Sequence, residues 1–497
     1  MLSMPSLFRT NTFLSTGALL LAFLSSTTYI QHASAQTAYA ADFIEPTHII
    51  GQPFDASRGR AMQSVVSWAQ QLAEGGPWSV VNKFGKAPSG DMHDYLSWAP
   101  YWWPDCSSVG NTTVLSDEQI WVTCPYVNRD GQFNPDGRLV NNVGDFQSMA
   151  EATLYNAVAW SFNETWVSGT LKTQLETNAV KFIRTWFLDP DTAMKPNLNY
   201  AQMKRGPGIQ VGSHTGVLDL KAMSKITSAI LLLRSGKSAL WTPQLDAQMV
   251  AWTQAYIGWL ESAAIAIEEK EALNNHGTFY FSQLASLKVL VNDLPGAKGV
   301  CDEFFNGIYK GQIQADGEQP LEAARTRPYH YRAYNLAGMI TIARIAAYAA
   351  PSSSPWSTPS GSGATIQKAL DFAITTSAAT SKEGKYAEEL WPNVASVASV
   401  YGDAEGKYLA YLKKNAPGFM SEPYILWNAP FGAGEASGVI PPGAKAATRK
   451  ATGAAAASTG AKDAKDNTSA GMSLGGAGMS AAAVVAAVTV GGLSLLL

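Results

Sequence analysis

The chain has 497 residues, of which 46% are hydrophobic and 15% charged, and its formal net charge is −3. This is ordinary globular composition, and it gives no basic footprint for a nucleic-acid partner. It leaves an anionic substrate open, because a local cluster of Arg and Lys can bind one inside a mildly acidic protein. The 15 Trp and 19 Tyr suit a carbohydrate cleft.

The N-terminus reads as a leader. Arg9 precedes a short apolar run at 16–24, and Ala33-Ser34-Ala35 supplies small residues for cleavage after Ala35. The run is too short to span about 30 Å of hydrocarbon. A secreted chain can carry disulfides, and Cys106 and Cys124, flanking a polar loop, are the natural pair, leaving Cys301 free and buried. It can also be glycosylated at Asn111, Asn163 and Asn467. No Cys or His cluster has zinc-like spacing, so neither a metal nor a cofactor is expected.

Residues 36–435 read as one catalytic domain dominated by the helical period. Length alone would allow about three domains, but helical toroids can run past that size as one unit. Met62, Val65, Val66, Ala69 and Leu72 share one face, as do Trp252, Tyr256, Trp259, Leu260, Ala263 and Ile267. Residues 223–233 and 336–348 are apolar nearly all round and predict buried helices. Period-2 strands are scarce. Aromatic, Gly and Pro residues gather in the connections, so the expected fold is all-α: an α/α barrel or toroid whose loops build a substrate groove. Residues 350–363 read as a flexible loop, with helical pattern resuming at 365–377 and 401–414. Residues 436–470 read as a disordered spacer. Residues 471–497, small and then apolar without a charged tail, read as a lipid-anchor attachment signal. The site of attachment falls among Asn467, Ser469, Ala470 and Gly471, and the expected location is the cell surface.

Four stretches can carry chemistry. In HDYLSWAPYWWPD (93–105), His93, Tyr95, Trp98, Tyr101, Trp102 and Trp103 suit a sugar-binding wall. The second stretch supplies Asn199, Tyr200, Arg205 and His214. In NNHGTFY (274–280), the Asn275 amide can hydrogen-bond a carboxylate, and the His276 imidazole can accept or donate a proton near pH 7. In LEAARTRPYHYRAYNL (321–336), Arg325 and Arg327 can grip a carboxylate, and a neighbouring Arg is expected to lower a Tyr pKa toward use as a base.

The first, third and fourth of these stretches, in that order over residues 91–348, resemble the alginate lyase superfamily. The resemblance implies an incomplete (α/α) toroid that cleaves a polysaccharide by β-elimination without a metal. It implies that Asn275 and His276 are the carboxylate neutraliser and the proton-handling imidazole, that Arg325 assists, and that Tyr331 is the catalytic phenol. Tyr331 would protonate the leaving O4. The C5 proton would go to Tyr331 as well if elimination is syn, or to His276 if it is anti. This chain has Phe281, Ser282 and Gln283 where relatives commonly place an acidic residue, and Gly212-Ser213-His214 where an Arg-containing turn is expected. Alginate and glucuronan therefore both stay open as the anionic polysaccharide. Two other readings are an inverting hydrolase, drawing on Asp94, Asp105, Glu322, Glu388 or Glu389, and a non-catalytic wall-binding protein.

Overall fold

The computed structural model describes residues 43–428, apart from 53, 55, 56 and 111–113. The leader, the 436–470 spacer, the anchor signal and the sequons at Asn111 and Asn467 lie outside the described residues. Asn163 is exposed.

The architecture is all-α, as expected. Its principal helices are α1 (Gly59–Glu74), α2 (Asp117–Thr123), α3 (Asn142–Trp160), α4 (Gly169–Ile183), α5 (Met223–Ser235), α6 (Pro243–Ser262), α7 (Ala264–Lys270), α8 (Asn275–Leu290), α9 (Leu294–Asn306), α10 (Pro328–Ala349), α11 (Ile366–Ala373), α12 (Trp391–Tyr401) and α13 (Lys407–Asn415). Local chemistry starts several of them. Ser116 and Gln119 form a capping box on α2, Thr242 precedes Pro243 and caps α6, and Asp293 caps α9 through the Gly296 N–H.

Two pairs of short strands decorate the helices. β1 (Leu96–Trp98) runs parallel to β4 (Tyr200–Met203), and β2 (Trp102–Pro104) runs antiparallel to β3 (Tyr126–Asn128). The expected Cys106–Cys124 disulfide forms beside the second pair, and Cys301 is free and buried. Among the described residues no helix is long and apolar enough to cross a membrane.

Helix packing follows the sequence. α1, α3, α5, α8, α10 and α12 contact one another in succession, while α4 packs on α3, α6 and α9 on α8, and α11 on α10. The face Met62, Val65, Val66, Ala69 and Leu72 is buried, and α5, α8 and α10 are buried on nearly all sides. One expectation needs correction. The face from Trp252 to Ile267 belongs to two helices, because Ala263 is extended, with ψ 133°, and separates α6 from α7. That break redirects α7, and Glu269 on it comes to lie fully buried among the site residues.

Candidate active site

Asn275 and His276 form the first turn of α8, whose backbone N–H groups favour an anionic group nearby. Asn274 is the N-cap, its side chain accepting from the His276 N–H at 3.2 Å. The chain can turn so sharply because residue 277 is glycine. A Cβ there would lie 2.0 Å from the Ala272 carbonyl oxygen. Glu322, on the single turn Pro320–Ala323, completes the cap from outside. Its two oxygens accept from the Asn275 backbone N–H and from Nδ2, each at 2.7 Å. Burial pushes the Glu322 carboxyl up to about 7, against the opposing pull of Arg325 and the two Asn275 bonds.

Glu269 joins two histidines. Its Oε1 lies 2.7 Å from His276 Nδ1 and its Oε2 lies 2.6 Å from His214 Nδ1. Burial opposes its ionisation, but the two imidazoles outweigh burial and hold the carboxyl below its ordinary range. An ionised Glu269 places a hydrogen on each Nδ1, so Nε2 is the nitrogen with which each ring can take up a proton. Burial works against a charged His214, yet the Glu269 bond and the charges of Glu269 and Glu268 prevail and raise its pKa. The His214 turn lies close on β4 through its glycines, since a Cβ at Gly212 would stand 2.4 Å from the Ala201 carbonyl oxygen. That close approach accounts for glycine where an Arg-containing turn is expected.

Tyr331 lies in the first turns of α10, buried with Tyr101, Leu218, Phe279 and Tyr334. The Arg325 guanidinium sits 4.1 Å above its ring. Arg327, the residue before α10, donates to the hydroxyls of Tyr101 and Tyr386. The structure thus separates two arginines of similar sequence context. Arg327 braces phenols, whereas Arg325 has Nε and Nη2 buried without a partner among the described residues. The expectation of a lowered Tyr pKa needs correction. Burial raises Tyr331, and the pull of Arg325, Arg327 and the Tyr101 hydrogen bond does not overcome it. The phenol therefore stays protonated at neutral pH. Behind it His330 bonds Glu389 through Nδ1 at 2.6 Å and stacks on Tyr334. Burial, and then the charges of Arg327 and Arg325, hold it well below its usual pKa.

Three residues expected to bind substrate, Tyr95, Trp98 and Arg205, are structural. Tyr95 is buried and donates to Asp219 Oδ2 at 3.2 Å. Trp98 is buried and stacks with Arg205, whose guanidinium lies 4.1 Å from its ring and 4.6 Å from that of Tyr126. Arg205 also bonds Asp136 at 3.0 Å. A cation sandwiched in this way braces β1 and β3 and is not offered to substrate. Arg205→Ala is expected to cost about 2–3 kcal/mol of stability, read as a lower Tm, with KM unchanged. His93 is tied to the Ala193 carbonyl through Nδ1 at 2.7 Å. Trp102 and Trp103 remain half-buried, with Lys204 4.5 Å and Arg129 5.4 Å from their rings. Asn199 is exposed and accepts from the Trp259 indole at 2.8 Å, while Tyr200 is half-buried on β4.

Sequence reasoning missed Glu269 altogether and named Glu322 only among the candidate carboxylates of the alternative hydrolase reading. Glu268-Glu269-Lys270 reads as the solvated end of a helix; the available signal is that Ala266 and Glu269, three apart, share the inward face. Glu322 and Glu389 are committed to Asn275 and His330, and Asp94 accepts from Ser89 at 2.6 Å with Lys195 3.6 Å away. Among the described residues, the group able to offer ligands to a metal is His214, Glu269 and His276, with atoms within 4.8 Å of one another. Glu269 already hydrogen-bonds both imidazoles.

The alginate lyase family model matches residues 80–383, more than half of the chain, including His214, Glu269, Asn275, His276, Glu322, Arg325 and Tyr331. The chain belongs to the alginate lyase family. The crystal structure of an alginate lyase from Bacteroides ovatus is similar at 26% identity and a TM-score of 0.62, covering 74% of this chain and 93% of that one. No curated protein matches the sequence. This alginate lyase family member is accordingly a polysaccharide lyase.

Proposed function

We propose that this alginate lyase family member is a secreted, surface-anchored enzyme that cleaves a polyuronate, alginate or a glucuronan-like polymer, by metal-independent β-elimination. One observation carries the reading: the unpartnered buried guanidinium nitrogens of Arg325 accompany a buried, protonated Tyr331 and an imidazole with a fixed tautomer. A uronate carboxylate supplies what those atoms lack. Arg325 and the Asn275 amide hold it and stabilise the charge that develops when the C5 proton leaves. His276 takes that proton at Nε2, and Tyr331 gives its own to O4 as the glycosidic bond breaks. Because burial keeps Tyr331 protonated, the arrangement favours this division of labour over a phenol acting as both base and acid. Supporting an incomplete (α/α) toroid is the succession α1, α3, α5, α8, α10, α12, with α4, α6, α9 and α11 packed against it.

The test is incubation of the secreted domain with alginate, glucuronan and neutral glucans, following reducing ends together with the ultraviolet absorbance of unsaturated uronyl ends. Reducing ends without that chromophore would sink the lyase chemistry. EDTA is expected to leave the rate unchanged, whereas a loss reversed by added zinc would assign a metal to His214, Glu269 and His276. Release from intact cells by a phosphatidylinositol-specific phospholipase tests the anchor.

A further inference from the structure

Glu322 forms a clasp that the elimination chemistry itself does not call for. It is fully buried, and it bonds Asn275 twice, through the backbone N–H and through Nδ2. In this arrangement the inner end of the Asn275 amide is its nitrogen. The other end, Oδ1, is buried and has no partner among the described residues. An outward carbonyl oxygen is the wrong pole for a uronate carboxylate, since both groups only accept hydrogen bonds. The reverse amide orientation corrects this: Oδ1 turns inward and Nδ2 faces outward. It requires the inner partner to donate to Oδ1. A carboxylate cannot do so, but a carboxylic acid can, and its other oxygen still accepts from the Asn275 backbone N–H.

We propose that Glu322 is the positioning residue that decides which end of the Asn275 amide meets the substrate carboxylate, the N–H end being presented when Glu322 carries a proton. The proposal rests on the polyuronate reading above. Its charged and titratable surroundings are few. Arg325 on the same loop pulls toward ionisation, and Tyr334 on α10 feels the Glu322 charge. Asn275 on α8 is neutral. A uronate entering beside Arg325 neutralises the one cation that favours ionised Glu322, so substrate binding and protonation of Glu322 reinforce each other. Burial already places that carboxyl near 7, where a proton is available at little cost. The amide would therefore be switched by the ligand it serves.

The experiment compares KM and kcat across pH in the wild type and in Glu322→Gln. In the wild type, KM is expected to rise by about tenfold per pH unit above neutrality, as Glu322 ionises. Glutamine has an amide that donates to Asn275 Oδ1 at every pH, so Glu322→Gln is expected to lose that rise in KM. Parallel KM profiles in the two proteins would overturn the proposal. A second arm needs no change at Glu322. Calorimetry of oligouronate binding to Tyr331→Phe, at a pH above neutrality and in buffers of different ionisation enthalpy, is expected to show uptake of close to one proton. Binding without uptake overturns the inference while leaving the lyase assignment standing. If oligouronates bind with proton uptake but no polyuronate is eliminated by the wild type, the reaction assignment falls and the role of Glu322 stands. No binding at all removes both.

Discussion

Tyr331→Phe is expected to lower kcat by about 10²–10⁴-fold while leaving KM for the polyuronate nearly unchanged. The phenyl ring keeps its place under Arg325 and among Tyr101, Leu218, Phe279 and Tyr334, so the buried shape is preserved. The variant loses one hydroxyl and its hydrogen bond to Tyr101, worth about 1 kcal/mol, and should fold. On the proposed mechanism the lost proton is the one delivered to O4, and among the described residues no other phenol ring lies under the Arg325 guanidinium. Steady-state rates measured from the unsaturated product decide the matter. A variant with full activity would show that the leaving group is protonated from elsewhere.

Arg325→Ala and Arg327→Ala are expected to part company. Arg325 has two buried nitrogens without partners, so its removal strands no hydrogen bond and should leave Tm almost unchanged. It does remove a cation from the developing enolate charge, and kcat should fall by about 10²–10³-fold. Arg327 instead holds the hydroxyls of Tyr101 and Tyr386. Its loss removes one donor from each phenol and is expected to cost about 1–3 kcal/mol of stability, with a smaller effect on turnover. Paired thermal unfolding and kinetics on the two variants read the difference directly. A large kcat loss at unchanged Tm for Arg327→Ala would exchange the two roles.

The sequence made the helical frame legible because most of that frame obeys one period. The face from Met62 to Leu72 and the all-apolar runs of α5 and α10 require burial wherever they fold. The break at Ala263 was hidden, since alanine carries no stop signal and the apolar pattern continues across it. At the site, Asn275, His276, Arg325 and Tyr331 stood in short motifs that keep their chemistry whatever the packing. Tyr95, Trp98 and Arg205 were misread for the opposite reason. Aromatics beside a cation look alike in sequence whether the stack faces a groove or an interior, and the deciding partners, Asp136 and Tyr126, come from distant segments. Glu269 as a site residue, and the tie of Glu322 to Asn275, were illegible because a carboxylate becomes special only when tertiary structure buries it against a donor.

The carboxylate that spans His214 and His276 has a further consequence for how the His276 ring is held. The two rings lie 6.1 Å apart, and each is fixed at Nδ1 by one oxygen of the same buried carboxylate. A shift of either ring therefore pulls on the group that holds the other. His214, from a distant segment of the chain, thus helps to set the direction in which the free edge of His276 points.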